Sequence, residues 1–127
     1  MAKNSIEGTI IRGLGEGTFF MSMPHYQKEI NEKLGFTAYP GTLNLKIGKN
    51  QKESLKNFSL IRIDGFKQEN KTFGGADCYK ARIGSISGAI IIPHLTKHKD
   101  IIEIIAPVHV KSELRLEDGD KLKVELI

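Results

Sequence analysis

Gly88-Ala89-Ile90-Ile91-Ile92-Pro93 and Ile101-Ile102-Glu103-Ile104-Ile105-Ala106 decide the fold. Each is a short, dense apolar run of mostly β-branched residues. Runs of that kind fit strands buried on both faces. Outward from them, period-two alternation recurs. Leu43, Leu45 and Ile47 face one way, and Thr42, Asn44 and Lys46 the other. Tyr79, Ala81 and Ile83 alternate with Lys80 and Arg82, and Leu122, Val124 and Leu126 alternate with Lys121, Lys123 and Glu125 after an Asp118-Gly119 turn. Ser5 to Ile11 and Thr18 to Met23 read as further strands, and Phe58 to Phe66 pairs with Lys71 to Phe73 in a hairpin around Gln68 to Asn70. Tyr26, Ile30 and Leu34 form a helical stripe, with Pro24 suited to its first turn and Gly35 to its end. The polar stretch Gly48 to Asn57 reads as a loop, helical at most over Glu53 to Asn57. The expectation is a mainly β domain of roughly seven to nine strands with one main helix. Closure of the strands into a barrel would remove exposed edges.

The chain has 127 residues, which implies one domain, and 39% apolar composition argues against wholesale disorder. No apolar run approaches the length of a membrane span, and Lys3, Asn4 and Glu7 interrupt any signal-like start. The expected location is the cytoplasm. A lone cysteine, Cys78, excludes an intramolecular disulfide and a Cys-rich zinc site; in a strand without a basic neighbour it suits a core thiol better than a nucleophile. The net charge of +4 fits a polyanionic partner, yet the lysines are dispersed, whereas a nucleic-acid footprint is clustered.

Three stretches carry chemistry. Gly13-Leu14-Gly15-Glu16-Gly17-Thr18 strips side chains from a turn, so its backbone N–H groups could approach a phosphate; it is otherwise a flexible hairpin turn. It lacks the Lys-Ser/Thr ending of a Walker A loop. Pro40-Gly41-Thr42-Leu43-Asn44-Leu45 places the Thr42 hydroxyl and Asn44 amide side by side. These are neutral oxygen donors for a magnesium ion carried in by a nucleotide, or else the polar face of a solvated strand. Glu103 interrupts an isoleucine strand, which is costly unless the carboxylate is paired, exposed or engaged by a ligand. The histidines form no metal-ligand pattern.

The ordered set of Gly13 to Gly17, Gly41-Thr42-Leu43-Asn44-Leu45, Gly88 to Pro93 with Thr96, Glu103-Ile104-Ile105-Ala106-Pro107 and Leu116-Glu117-Asp118-Gly119-Asp120 resembles the archaeal CTP-dependent riboflavin kinase family over nearly the whole chain. No single motif is specific; their order is. The resemblance implies a small closed six-stranded β-barrel of the cradle-loop type, with additional strands and one main α-helix. It implies transfer of the γ-phosphoryl group of CTP to the terminal ribityl hydroxyl of riboflavin, giving FMN and CDP. On that basis Gly13, Leu14, Gly15, Glu16, Gly17 and Thr18 bind the nucleotide phosphates. Val108, His109, Val110 and Lys111 complete the nucleotide site near the cytosine. Thr42 and Asn44 hold magnesium, and Thr96 and Glu103 contact the flavin, with Glu103 the candidate to orient or deprotonate the ribityl hydroxyl.

Relatives often carry a basic residue where Thr18 stands, so phosphate charge has to be met elsewhere in this chain. Some relatives also have an N-terminal winged-helix domain. Here the sequence starts at the barrel, so a single domain over residues 1–127 without that module is expected. The expected partners are riboflavin and CTP, with no nucleic acid and no membrane, acting on a monomer. The rival readings are a DNA-binding barrel of the swapped-hairpin type and a non-catalytic flavin-binding protein.

Overall fold

The alternating stretches become strands of one curled sheet. The computed structural model describes residues 4–13, 20–94 and 100–127. Along the chain, β1 (Ser5–Ile11) is followed by α1 (Pro24–Leu34) and β2 (Leu43–Lys46). Next come α2 (Lys49–Ser54), a 3-10 turn (Leu55–Asn57), β3 (Ile61–Ile63), β4 (Phe66–Gln68) and β5 (Lys71–Phe73). The chain ends with β6 (Ala76–Ile83), β7 (Ile86–Pro93), β8 (Ile101–Ile105), α3 (Val110–Glu113) and β9 (Lys121–Leu126).

The main sheet runs β3-β6-β7-β8-β2-β1-β9, with every pairing antiparallel. A further pairing of β6 with β9 sets Ala81 opposite Leu126 and Arg82 opposite Glu125, and this closes six strands into a barrel. Strand β3 lies outside the ring on β6, and β4 and β5 form a separate ribbon. The expected fold, a mainly β chain with a closed six-stranded barrel and additional strands, is observed.

Two apolar clusters follow from the alternation. Ile6, Ile10, Leu43, Leu45, Tyr79, Ala81, Ile90, Ile102, Ile104 and Val124 fill the barrel interior. On the outside, the stripe Tyr26, Ile30 and Leu34 packs on Cys78, Ala89, Ile91 and Ile105. Helix α1 thus covers β7 and part of β8, which explains why those strands are apolar on both faces. Gly35 ends the helix with φ 85°, a conformation natural to glycine, and its N–H reaches the carbonyls of Ile30 and Asn31.

Local expectations were corrected in three places. Phe20 and Met21, read as part of a strand over Thr18 to Met23, are helical and lead into α1; Thr18 itself lies outside the described residues. Their apolar side chains join the outer cluster, so one short run served helix packing instead of a ladder. The strand expected over Phe58 to Phe66 is broken at Asp64. There the backbone N–H donates to Glu29 Oε1 (3.0 Å), and the backbone oxygen lies 2.8 Å from His25 Nε2. Side chains of α1 thereby take the place of ladder partners. The loop expected before Leu55 is helical. It is anchored by the buried Leu55 and by Gln51 Oε1, which accepts the Glu7 N–H.

The interior leaves no room at Gly8. A Cβ there would lie 2.5 Å from the Lys46 carbonyl oxygen and 2.7 Å from Leu45 Cγ. Gly8→Ala is therefore expected to cost about 1–3 kcal/mol through overpacking. Urea denaturation measures this, and an unchanged midpoint would contradict it. Cys78 is fully buried, and desolvation, aided by the Asp77 carboxylate, pushes its thiol up to about 12. It stays protonated at every ordinary pH, so native protein at pH 8 should resist iodoacetamide, whereas urea-unfolded protein should be labelled once per chain. Rapid labelling of the native protein would show that the outer cluster is not closed over the thiol.

Candidate functional site

Outward positions on β7, β8, β2 and β1 line up by register. Ile91 lies opposite Glu103, Glu103 opposite Asn44, and Asn44 opposite Ile11. The apolar ends of this row flank two polar residues, so Glu103 and Asn44 are neighbours on the outer face beside the region that α1 covers. Thr42 lies on the same face, two residues before Asn44. Its Oγ1 donates to Glu103 Oε1 at 2.8 Å. That bond uses the only proton of the hydroxyl and leaves its oxygen lone pairs available to another ligand. Thr42, Asn44 and Glu103 are all half-buried. The carboxylate in the isoleucine strand thus belongs to a small polar island on the outside of the barrel and leaves the core dry.

Gly13 stands over this island. A Cβ on Gly13 would collide with the Asn44 amide nitrogen, so glycine is what lets the end of β1 lie against that amide. The start of the glycine-rich stretch and the Thr42/Asn44 pair are therefore adjacent.

A cavity of about 300 Å³ opens beside Thr42. One wall is Tyr39 to Leu43, another is Val108 to Lys111, and Ile104 and Ala106 complete it. The Tyr39 N–H donates to the Ala106 carbonyl (2.7 Å), which joins the two walls. Lys111 Nζ forms a 2.6 Å ion pair with Asp118 Oδ1. The turn carrying Asp118 is tied to β1, because the Gly119 N–H donates to the Ile10 carbonyl and the Ile10 N–H to the Asp120 carbonyl. The closing motif thus braces the cavity's basic residue against the strand that leads to Gly13.

Of the residues singled out from sequence, Thr42, Val108, His109, Val110 and Lys111 share this one cavity, while Asn44 and Glu103 lie next to it across β2 and β8. Gly13 joins them through Asn44. Leu14, Gly15, Glu16, Gly17, Thr18 and Thr96 lie outside the described residues. Tyr39 lines the cavity without having been part of any stretch read from the sequence; an aromatic residue just before a Pro-Gly turn has no period or motif that marks it. Among the described residues, no group of three or more His, Cys, Asp or Glu side chains could hold a metal ion. No helix among them is long and apolar enough to cross a membrane.

The chain is also similar in sequence to known proteins. The chain is 42% identical over 126 residues to a riboflavin kinase of Methanosarcina barkeri, covering 95% of this chain and 56% of that protein. It is 44% identical over 126 residues to a riboflavin kinase of Archaeoglobus fulgidus, covering 96% and 54%. A riboflavin kinase of Pyrobaculum aerophilum is 44% identical over 124 residues, covering 94% and 59%. The chain thus spans little more than half the length of these curated relatives. A family model named CTP-dep_RFKase, described as a domain of unknown function (DUF120), matches residues 10–126. With the match spanning nearly every strand of the barrel, the chain belongs to the CTP-dependent riboflavin kinase family.

Proposed function

We propose that this domain transfers the γ-phosphoryl group of CTP to the terminal ribityl hydroxyl of riboflavin, giving FMN and CDP. The observation that carries the reading is the meeting of Gly13, Thr42, Asn44 and Glu103 at the edge of a cavity bounded by Val108 to Lys111. In the transfer, the ribityl oxygen forms a bond to the γ-phosphorus as the bond to the β,γ-bridging oxygen breaks, and the hydroxyl proton leaves. Such transfers pass through a loose transition state, so positioning and charge neutralisation dominate over strong base chemistry. A barrel edge offering backbone, hydroxyl, amide and one carboxylate suits that demand.

Each residue has a distinct task in this reading. Residues Gly13 to Thr18 receive the phosphates, and Val108 to Lys111 receive the nucleoside. Lys111 can exchange Asp118 for phosphate oxygen, supplying charge in a chain with Thr18 in the glycine-rich stretch. Thr96 and Glu103 hold the flavin, and Glu103 orients the ribityl hydroxyl and accepts its proton. Thr42 and Asn44 fit magnesium by donor chemistry, since both offer neutral oxygens and the Thr42 proton is already committed to Glu103. When bound, magnesium would supply neutralisation of phosphate charge. Because the two protein donors bring no negative charge, its binding is expected to depend on the nucleotide. The same reading has one domain act as a monomer in the cytoplasm on two small molecules, without nucleic acid or membrane.

The test is incubation with riboflavin, magnesium and each nucleoside triphosphate separately, followed by chromatography for FMN. CTP is expected to give FMN well ahead of ATP; equal turnover with both would refute the donor preference. Glu103→Gln should lower kcat about 100-fold or more with little change in KM for CTP. Near-normal turnover would remove Glu103 from the proton-accepting role. Gly13→Ala should push the Asn44 amide aside, a movement available to the end of a side chain. The magnesium concentration for half-maximal activity should then rise severalfold with the melting temperature preserved. An unchanged magnesium titration would show that Asn44 is not a ligand.

A further inference from the structure

We propose that Tyr39, backed by His109, is the seat of the donor's nucleobase. This rests on the reading that the cavity beside Thr42 takes a nucleotide. It adds a residue that sets where the base lies.

Three observations converge on Tyr39. The first is exposure. Large apolar side chains elsewhere are gathered into the two clusters, and among the described residues only Tyr39 (41% exposed), Leu60 and Ile127 stand out as exposed. Of these, Tyr39 alone lines the cavity. The second is its anchoring. The Ala38 N–H donates to Gln27 Oε1 (3.0 Å), Gln27 Nε2 donates to the Ala38 carbonyl (2.8 Å), and the Tyr39 N–H donates to the Ala106 carbonyl (2.7 Å). A side chain of α1 and the end of β8 therefore fix the backbone of an aromatic residue whose ring remains partly open to solvent. The backbone that carries the ring is thus ordered before any ligand arrives, which lowers the cost of binding there. The third is the ring pair. Tyr39 and His109 have centroids 5.0 Å apart and planes 36° apart. His109 is held in turn, with Nδ1 2.5 Å from Ser112 Oγ.

Rings this close leave no space for a base between them, so the base lies on a face of the pair turned to the cavity. Leu43, Ala106, Val108 and Val110 supply apolar lining there. A volume of about 300 Å³ is at the small end of ligand pockets and has room for a nucleobase. Tyr39 also precedes Thr42 by three residues in sequence. One short stretch therefore carries both the base seat and the hydroxyl placed beside the phosphates, which fixes their spacing.

Calorimetric titration of CTP and of inorganic tripolyphosphate, on the unaltered protein and on Tyr39→Ala and Tyr39→Phe, tests this without relying on turnover. Loss of a stacking aromatic is expected to weaken CTP about tenfold or more. Tyr39→Phe should stay near the unaltered value, because the ring face is kept. Tripolyphosphate, which has no base, should bind all three proteins alike, and this also shows that the variants are folded. Unchanged CTP affinity in Tyr39→Ala would overturn the proposal, and so would equal weakening of CTP and tripolyphosphate. If the expected pattern appears but no FMN forms, the base seat stands and the kinase reading falls. If the unaltered protein binds CTP no better than tripolyphosphate, the seat falls whatever the turnover.

Discussion

The seam between β6 and β9, where Ala81 meets Leu126 and Arg82 meets Glu125, turns an open sheet into a barrel, and the placement of every other group follows from it. Once closed, a six-stranded ring has an interior only wide enough for side chains. Ile6, Ile10, Leu45, Ile90, Ile102 and Ile104 fill it, and no buried polar or charged residue is present among those described. Polar positions on the strands are thereby forced outward. Helix α1 covers one sector of the outer face, and the polar island of Thr42, Asn44 and Glu103 lies at the border of that cover. A site built on strands of a closed barrel inherits their rigidity, which suits chemistry that depends on positioning.

The outer face also shows how the chain manages its lone carboxylate in an isoleucine strand. Alternation sends Ile102 and Ile104 inward and Glu103 outward, so the dense run Ile101 to Ile105 holds two environments. The Thr42 hydroxyl satisfies one carboxylate oxygen, and the Asn44 amide is the cross-strand neighbour. In the proposed reaction this carboxylate meets the ribityl hydroxyl, while the neighbouring cavity takes the nucleoside. The closing turn at Asp118 serves both ends: it pairs with Lys111 and is hydrogen-bonded to the end of β1 that leads to Gly13.

Much of this was legible in the residues. The alternation of Leu43, Leu45 and Ile47, and of Leu122, Val124 and Leu126, placed β2 and β9 because period two has one physical cause, the pleat. Helix α1 was legible through Pro24, its stripe and Gly35. Helix α2 was not, since it has no buried residue of its own and depends on Leu55 and Gln51 reaching the barrel. The break at Asp64 was invisible for a similar reason: its partners Glu29 and His25 are far away in sequence. Within the site, Thr42 and Asn44 were visible as a same-face pair, and Glu103 as a charge in an apolar run. Their hydrogen bond and the contact of Gly13 with Asn44 needed the barrel's register. Tyr39 had no local signal at all; its role comes from a cavity that only the closed fold creates.

A crystal structure of the protein with CDP, manganese and FMN bound would show where each ligand sits on the barrel. The manganese anomalous peak is expected between Thr42 and Asn44, with the CDP phosphates over Gly13. The cytosine is expected in the cavity bounded by Val108 to Lys111 and the FMN phosphate end beside Glu103. A nucleotide bound away from Thr42 and Asn44, or a flavin whose ribityl chain does not approach Glu103, would contradict this placement.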